Sequence, residues 1–463
     1  MAPAPDSSQR EAARTLEILK RLREIEESIL ARAPEHDLEP SLDRIRAVME
    51  LAGEPQRTFP VIHLTGTNGK TTTARVIESV LREMGLKTGR FTSPHLHTML
   101  ERIAIGGAPI EAEKFLRAYD EVIGLIDIVD ARSAAEGEPR MTYFEVLVAV
   151  AYAAFADAPV DVAIVEVGMG GSWDATNVAD GVVSVITPIA LDHQHFLGDT
   201  ETDIALEKSG IIKADGIAIS ATQADPAVAT ILRERAEEVG AQIASEGEQF
   251  GIEGADVAVG GQALTVRGLA ATYEDLFLPF HGTHMAQNAA VAIAAVEAFL
   301  GGGEQPLDID VLKAGLAAAT SPGRLEVVRR SPTVLVDAAH NPAGARALRD
   351  GLEEAFTFTT LVGVVAILKD KDATEMLEIL EPVLDEVIVT RTTSPRAMRP
   401  NDLGEIAKGV FGESRVTVVD DLPDALDRAA GIADGAGVGG GVLATGSVIT
   451  AAEVRMLLGV TDA

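Results

Sequence analysis

Polar and apolar positions along this chain alternate at two periods. Between residues 10 and 52, apolar side chains recur at helical spacing, first Leu16, Ile18, Leu19 and Leu22 and then Ile45, Val48 and Leu51. The 65 residues before the first glycine-bearing loop therefore read as helices. From residue 59 the pattern changes. Apolar runs of strand length at 59–64, 161–167, 182–187 and 216–220 are separated by amphipathic stretches at 73–84, 144–156 and 225–239. Such alternation predicts a parallel sheet wrapped by helices. Residues 241–281 are rich in Gly and Val, with runs such as Ala263-Leu264-Thr265-Val266, and predict a small antiparallel insertion beside that sheet; a helix is expected over 286–300.

The pattern breaks at Thr320-Ser321-Pro322-Gly323 and then resumes. Strands are expected at 333–337, 360–367, 386–391, 415–419 and 441–445, with helices at 343–355, 373–384, 402–409, 423–433 and 449–458. The expected fold is α/β. A P-loop-type parallel-sheet ATPase domain with its antiparallel insertion occupies 1–320, and a Rossmann-like α/β domain occupies 321–463. Two such domains imply a cleft between them, where a substrate commonly binds.

Composition narrows the classes. A formal charge of −32 argues against nucleic acid or an anionic membrane as partner. It also requires any polyanionic substrate to be held by local donors and cations. The chain has no cysteine, which excludes disulfides and thiolate metal sites. Met-Ala-Pro-Ala-Pro-Asp at the start lacks the basic and apolar regions of a signal peptide, and no apolar run approaches the ~18 residues of a membrane span. A cytoplasmic enzyme is the expectation.

The chemistry centres on Gly66-Thr67-Asn68-Gly69-Lys70-Thr71-Thr72, set between a predicted strand and a predicted helix. A glycine turn there lets backbone N–H groups and a helix N-terminus surround a phosphate. Lys70 can reach the outer phosphates, and a following threonine hydroxyl can touch Mg²⁺. The usual pattern wants another glycine where this chain has Leu64, so the loop is a shortened variant. ATP binding is the reading. Glu166 and His193 fall at or just past the ends of predicted strands, where an open parallel sheet forms its ligand crevice. A carboxylate suits Mg²⁺; histidine is an uncommon ligand for so hard a cation.

Further motifs follow in a fixed order: TSPHL (92–96), TYFE (142–145), EVGMGGSWDATN (166–177), TPIALDH (187–193), EKSGII (207–212), HxxxN (284–288), SPGRLE (321–326), DAAHNPAG (337–344) and GSVITAAEV (446–454). With the GTNGKTT loop, they resemble the folylpolyglutamate synthase/dihydrofolate synthase branch of the Mur ligase family over residues 40–458. The loop and DAAHNP are shared with cell-wall Mur ligases, whereas TSPHL, TYFE and GGxxDATN are particular to the folate branch.

The resemblance implies an ATP-dependent amide ligase that converts a carboxylate into an acyl phosphate, which an amine then attacks. It implies ATP, dihydropteroate or a folate, and L-glutamate as small-molecule ligands, Mg²⁺ (two ions, with a monovalent cation such as K⁺ left open) and a monomer. It assigns Gly66, Thr67, Asn68, Gly69, Lys70, Thr71 and Thr72 to the phosphates, and Asn288, Arg324, Asp337 and His340 to closure over the nucleotide. Ser93, Glu166, His193 and a carbamylated Lys208 match the metal ligands, so that Lys70, Lys208 and His340 form the expected catalytic set. Thr92, Thr142, Tyr143, Phe144, Glu145, Trp173, Asp174 and Ala175 would form the pterin side. Read on its own, Lys208 is a plain lysine paired with Glu207 or a carboxylate nearby, and Asp337 is open to a reading as an N-cap before Pro342.

Three positions depart from the branch: Ser172 where arginine is frequent, His195 where aspartate is frequent, and GKTT where many members carry GKG. The missing arginine removes a cation near an anionic substrate. Two rivals remain, a cell-wall ligase acting on a UDP-linked peptide and a non-ligase P-loop ATPase switch. The first needs a nucleotide-sugar domain before the loop, and the second does not account for a further α/β domain bearing DAAHNP.

Overall fold

The computed structural model describes residues 7–33 and 41–460, with side chains of the first helix from residue 13 onward. The signal-peptide reading of residues 1–6 lies outside the described residues. Helices α1 (Ser7–Leu30) and α2 (Asp43–Leu51) precede β1 (Val61–Thr65), the phosphate-type loop and α3 (Lys70–Glu83). Strands β2 (Thr88–Phe91), β3 (Ile103–Ile105) and β4 (Ala108–Pro109) lead to α4 (Ala112–Glu136) and α5 (Tyr143–Asp157). Then come β5 (Val162–Glu166), β6 (Gly181–Ile186), α6 (Gln194–Leu197), α7 (Glu201–Ser209), β7 (Ile217–Ser220), α8 (Pro226–Val239) and β8 (Gln242–Ser245). These eight strands form one sheet in the order β4-β3-β2-β5-β1-β6-β7-β8, parallel except at the β3–β4 edge.

The central strands are buried on both faces, and the period of two divides their side chains between two helical layers. Val61, Phe91, Ala163 and Val165 pack with α4 and α5, while Ile62, Leu64, Val162 and Ile164 pack with α3 and the later helices α9 (Thr283–Gly301) and α10 (Ile309–Ala317). The antiparallel sheet of β9 (Gly251–Ala258), β10 (Gly261–Arg267) and β11 (Thr272–Leu278) leans on the second layer. The expected insertion is thus three strands, but its first stretch is not part of it. Residues 242–245 add a parallel edge, β8, to the main sheet, with Ala244 tucked into the core. The pattern reading passed over β2 to β4, which have four residues or fewer, and over α4, whose apolar positions are interleaved with charge.

After α10 the chain builds a second α/β unit from β12 (Glu326–Arg330), β13 (Thr333–Val336), α11 (Pro342–Ala355), β14 (Thr360–Val365), α12 (Ala373–Leu380), β15 (Glu386–Val389), α13 (Pro400–Phe411), β16 (Val416–Val418), α14 (Leu422–Gly435), β17 (Gly440–Thr445) and α15 (Val448–Leu457). Its six strands run β12-β13-β17-β14-β15-β16, all parallel but for the β12 edge. Every strand and helix expected beyond residue 332 is present, within a few residues of its expected ends. No helix among the described residues is long and apolar enough to cross a membrane.

One buried ion pair braces the edge of the loop-bearing unit. Arg90 of β2, 2% exposed, donates from Nε to Glu78 of α3 at 2.5 Å, and from Nη1 to Thr92 at 2.9 Å. Removing one partner of such a pair strands the other charge, a loss of about 3–5 kcal/mol, whereas replacing both with apolar groups costs far less. Arg90→Met should therefore lower the thermal unfolding midpoint sharply, and the added change Glu78→Met should recover most of the loss. A single variant as stable as the parent would mean that water reaches Glu78.

Candidate active site

Residues at or just past the carboxyl ends of parallel strands in both sheets line a cavity of about 1080 Å³. The loop after β1 forms its floor. Gly66 has φ 142°, and a Cβ there would lie 1.9 Å from Thr187 Oγ1 and 2.8 Å from the Thr187 carbonyl oxygen. Gly69 has φ 91°, and a Cβ there would lie 2.5 Å from Asn288 Oδ1. Glycine is required at both positions by backbone and by neighbour. No side chain caps α3, and the backbone N–H groups of Gly69 to Thr72 make no hydrogen bond among the described residues. Four free donors at the start of a 14-residue helix fit a phosphate. The expected contribution of Thr67 and Asn68 is revised, because both of their N–H groups point to the Pro188 carbonyl, at 2.9 and 3.4 Å.

Lys70 folds back and donates to the carbonyls of Gly66 and Thr67 at 3.0 and 3.1 Å. Its ammonium stands near Glu166, at the end of β5, and burial pushes the Glu166 carboxyl up while Lys70 and the Thr71 hydroxyl oppose the shift. Thr71 Oγ1 donates to both Glu166 oxygens at 3.0 and 2.9 Å, and the Ser93 N–H points to the same carboxylate at 3.3 Å. Carboxylate and hydroxyl oxygens at one point are hard donors that fit Mg²⁺. No group of three or more His, Asp or Glu side chains converges among the described residues, so protein oxygens would supply only part of the ion's shell. His193 adopts left-handed backbone (φ 51°) on the cavity wall.

Lys208 lies at the end of α7, 4% exposed, and its side-chain amine has no hydrogen bond or ion pair among the described residues. Its pairing with Glu207 does not occur. Glu207 instead accepts from the Gly171 and Trp173 N–H groups at 3.3 and 3.2 Å. Burial, and then the charge of Lys70, pull the Lys208 amine down to about 7.

At the far end of the cavity α5 begins with a capping box. Thr142 accepts from the Glu145 N–H, and the Glu145 carboxylate accepts from the Thr142 N–H at 2.7 Å and from Arg44 Nε at 3.1 Å. Both residues line the cavity, yet their polar atoms already hold the helix start. The Phe144 ring covers Gly168, where a Cβ would meet it at 2.5 Å, and Arg102 sits 5.1 Å from the centre of the Tyr143 ring. Arg44 and Arg102 thus stand on the wall as cations that the sequence pattern did not single out. Trp173, Asp174 and Ala175 also line the cavity; Thr92 does not, its hydroxyl being taken by Arg90.

The second unit faces the loop with Arg324, Asp337 and His340. The Arg324 guanidinium donates once, from Nη1 to Gly323 O at 3.3 Å, and its other side-chain N–H groups have no hydrogen-bond partner among the described residues; its backbone N–H donates to Ser321 O at 3.2 Å. Asp337 accepts from the Leu325 and Ala339 N–H groups at 2.8 and 2.7 Å; the cap of α11 is Asn341, not Asp337. The residues the sequence reading missed are those that join the units. Asp192 accepts from Lys371 Nζ at 2.6 Å and from Asn341 Nδ2 at 3.0 Å, with His340 Nε2 at 3.5 Å. Asn68 and Asn341 exchange side-chain amides at 3.3 Å. Burial would raise the Asp192 carboxyl, but the bond to His340 and the charges of His193 and Lys371 hold it well below the usual range. Its place beside His193 in LDH, and Lys371 within the charged run KDKD, were the available signals.

Known proteins share this fold. The family models of the Mur ligase middle domain and of the Mur ligase glutamate ligase domain match residues 64–296 and 323–448. A Mycobacterium tuberculosis dihydrofolate synthase/folylpolyglutamate synthase is 46% identical over 95% of this chain and 94% of its own length. A Bacillus subtilis protein of the same name is 32% identical over 91% of this chain and 95% of its own length. The solved M. tuberculosis folylpolyglutamate synthase, complexed with ADP and AMPPCP, superposes with a TM-score of 0.91, covering 96% of this chain and 99% of that one at 46% identity. Escherichia coli FolC in complex with DHPP and ADP superposes with a TM-score of 0.81 at 30% identity, covering 96% of this chain and 97% of that one. The chain belongs to the folylpolyglutamate synthase/dihydrofolate synthase branch of the Mur ligase family.

Asp192→Ala tests the link between the units. It leaves the Lys371 ammonium, whose side chain is 9% exposed, without a carboxylate, a penalty of about 3–5 kcal/mol against the packed arrangement. Amide hydrogen exchange should rise at 338–342 and 368–372 and stay constant over α8. Unchanged exchange in both segments would remove Asp192 from this role.

Proposed function

We propose that this chain is an ATP-dependent ligase that adds L-glutamate to dihydropteroate and to reduced folates, releasing ADP and phosphate. The observation that carries the reading is a single cavity bounded by the uncapped start of α3, the Glu166 carboxylate, an aromatic wall at α5 and a second unit presenting Arg324. Phosphate, pterin acid and glutamate would then share one enclosure. Residues 1–320 then form the ATPase and pterin domain and 321–463 the domain that closes over ATP and glutamate, acting as a monomer in the cytoplasm.

The chemistry follows from what each group can do. A carboxylate is a poor acyl donor, so its oxygen first attacks the terminal phosphorus of ATP and ADP leaves. The amine of glutamate then attacks the acyl carbon, loses a proton, and phosphate departs with the electron pair of the broken C–O bond. Both steps bring anions together, so fixed positive groups and positioning supply most of the acceleration. The free N–H groups of 69–72 and Lys70 would hold the transferred phosphate, and Arg324 would reach it from the second domain as an always-charged donor. Asn288, Asp337 and His340 would orient the nucleotide, and the Phe144 and Trp173 rings would hold the pterin plane. Magnesium neutralises phosphate charge when bound; Glu166, with the Thr71 and Ser93 hydroxyls and His193, would hold it, and a carbamate on Lys208 would hold a second ion. A monovalent cation such as K⁺ would serve as an accessory site.

Two measurements test this reading. ADP release, followed with dihydropteroate and with a reduced folate in turn, should require glutamate and occur with both acids. Turnover with a UDP-muramoyl peptide and none with either pterin acid would overturn it. For Lys208, an amine whose pKa is lowered to about 7 is half unprotonated near neutrality, the form that adds to CO₂ with loss of a proton. ¹³C-labelled bicarbonate should give a carbamate carbon signal that is absent in Lys208→Ala, and small carboxylates should restore part of that variant's activity. An active parent enzyme without the signal would exclude the carbamate.

A further inference from the structure

The middle of β1 carries a polar residue that the pocket chemistry does not use. His63 is fully buried in the run Val61-Ile62-His63-Leu64-Thr65, on the sheet face that packs against α5. Burying an imidazole among aliphatic side chains is costly unless its nitrogens are satisfied. Room is made for it by Gly181 on β6, where an added Cβ would lie 3.0 Å from His63 Cβ.

His63 Nε2 lies 2.8 Å from Thr176 Oγ1, and Thr176 Oγ1 lies 2.5 Å from Asp174 Oδ1. All three residues are buried, and Asp174 alone of them reaches the cavity wall. The direction of the chain of bonds follows from counting protons. An ionised carboxylate only accepts, so the single hydroxyl proton of Thr176 points to Asp174. The hydroxyl must then accept from its other neighbour, which requires a proton on His63 Nε2 and leaves Nδ1 bare. Nδ1 indeed has no hydrogen-bond partner among the described residues. Burial, and then the charge of Lys213, bring the imidazole down to about 3, so it stays neutral and keeps this one tautomer. The Tyr152 hydroxyl donates to the Thr176 carbonyl at 2.7 Å, which fixes the same residue from its backbone side. The rest of the Asp174 carboxylate is oriented by the N–H groups of Thr176 and Met169, both at 2.9 Å.

We propose that His63 is a positioning residue that acts through Thr176 to hold Asp174 in the orientation that receives the N–H edge of the pterin. The inference rests on the folate reading given above. The aminopyrimidinone ring of a pterin presents adjacent amino and ring N–H donors, which a fixed carboxylate edge matches, and an Asp174 free to rotate would lose that match. Neither His63 nor Thr176 touches substrate. Their effect is on the binding of the pterin acid and not on the nucleotide.

The test compares His63→Leu with His63→Gln, and Thr176→Val with Thr176→Ser, in the full-length enzyme. Gln and Ser keep a donor where Leu and Val do not. KM for dihydropteroate should rise roughly tenfold in His63→Leu and Thr176→Val, the scale of one lost hydrogen bond to a charged group, with KM for ATP and kcat within about twofold of the parent. His63→Gln and Thr176→Ser should restore most of the loss. Direct binding of dihydropteroate in the absence of ATP should weaken in parallel. Unchanged pterin KM in folded variants would overturn the proposal. So would equal losses for pterin and ATP that Gln and Ser fail to restore, since those would mark a purely structural role. If His63→Leu does not fold, the Thr176 pair decides. A parent enzyme that turns over no pterin acid would instead defeat the folate reading, a distinct result visible before any variant is made.

Discussion

The arrangement depends on one carboxylate, Asp192, which extends from the segment after β6 to Lys371 and Asn341 of the second unit. Two sheets whose carboxyl ends face each other would otherwise meet across open solvent. A buried, multiply bonded charge at the seam sets their separation and therefore the width of the cavity. The Asn68–Asn341 amide pair adds a direct tie between the phosphate-type loop and the cap of α11. Loop, seam and second-unit helix are thus one connected set of hydrogen bonds.

The chain carries a formal charge of −32 and must still collect anions. It does so by desolvation. Lys70 and Lys208 are held where burial works against their charge, each close enough to repel the other, and Arg324 stands opposite with guanidinium donors that have no partner among the described residues. Such a site is primed for negative charge, because a phosphate or carboxylate there relieves the repulsion between its cations. The acidic exterior governs solubility and leaves this interior balance untouched.

Much of this was legible in the sequence, for identifiable reasons. Long parallel-sheet strands are nearly all apolar, so β1, β5, β6, β13, β14 and β17 were readable, as were the glycines of the loop, whose backbone angles no other residue adopts easily. Residues at strand ends could be placed at the crevice because open α/β sheets expose their ligand sites there. What was not legible depended on distance in the chain. Nothing local marks Asp192 as the partner of Lys371, or Arg44 as the partner of Glu145, since those contacts arise from the packing of separate elements. The Thr67 and Asn68 N–H groups read as phosphate donors until the Pro188 carbonyl was seen beside them. Thr142 and Glu145 illustrate a further ambiguity: a motif can mark a helix start and a pocket wall at once.

The close approach of Gly66 to Thr187 has an evolutionary consequence. A side chain at 66 would collide with the Thr187 hydroxyl and also with its carbonyl oxygen, so trimming residue 187 to alanine or glycine relieves only half of the conflict. No single compensating change opens a route away from glycine, and the position is closed to neutral drift in a way that the exposed Ser172 is not. Diversity among descendants of this chain, natural or selected in the laboratory, will accumulate around the α5 end of the cavity while the loop before α3 stays as it is.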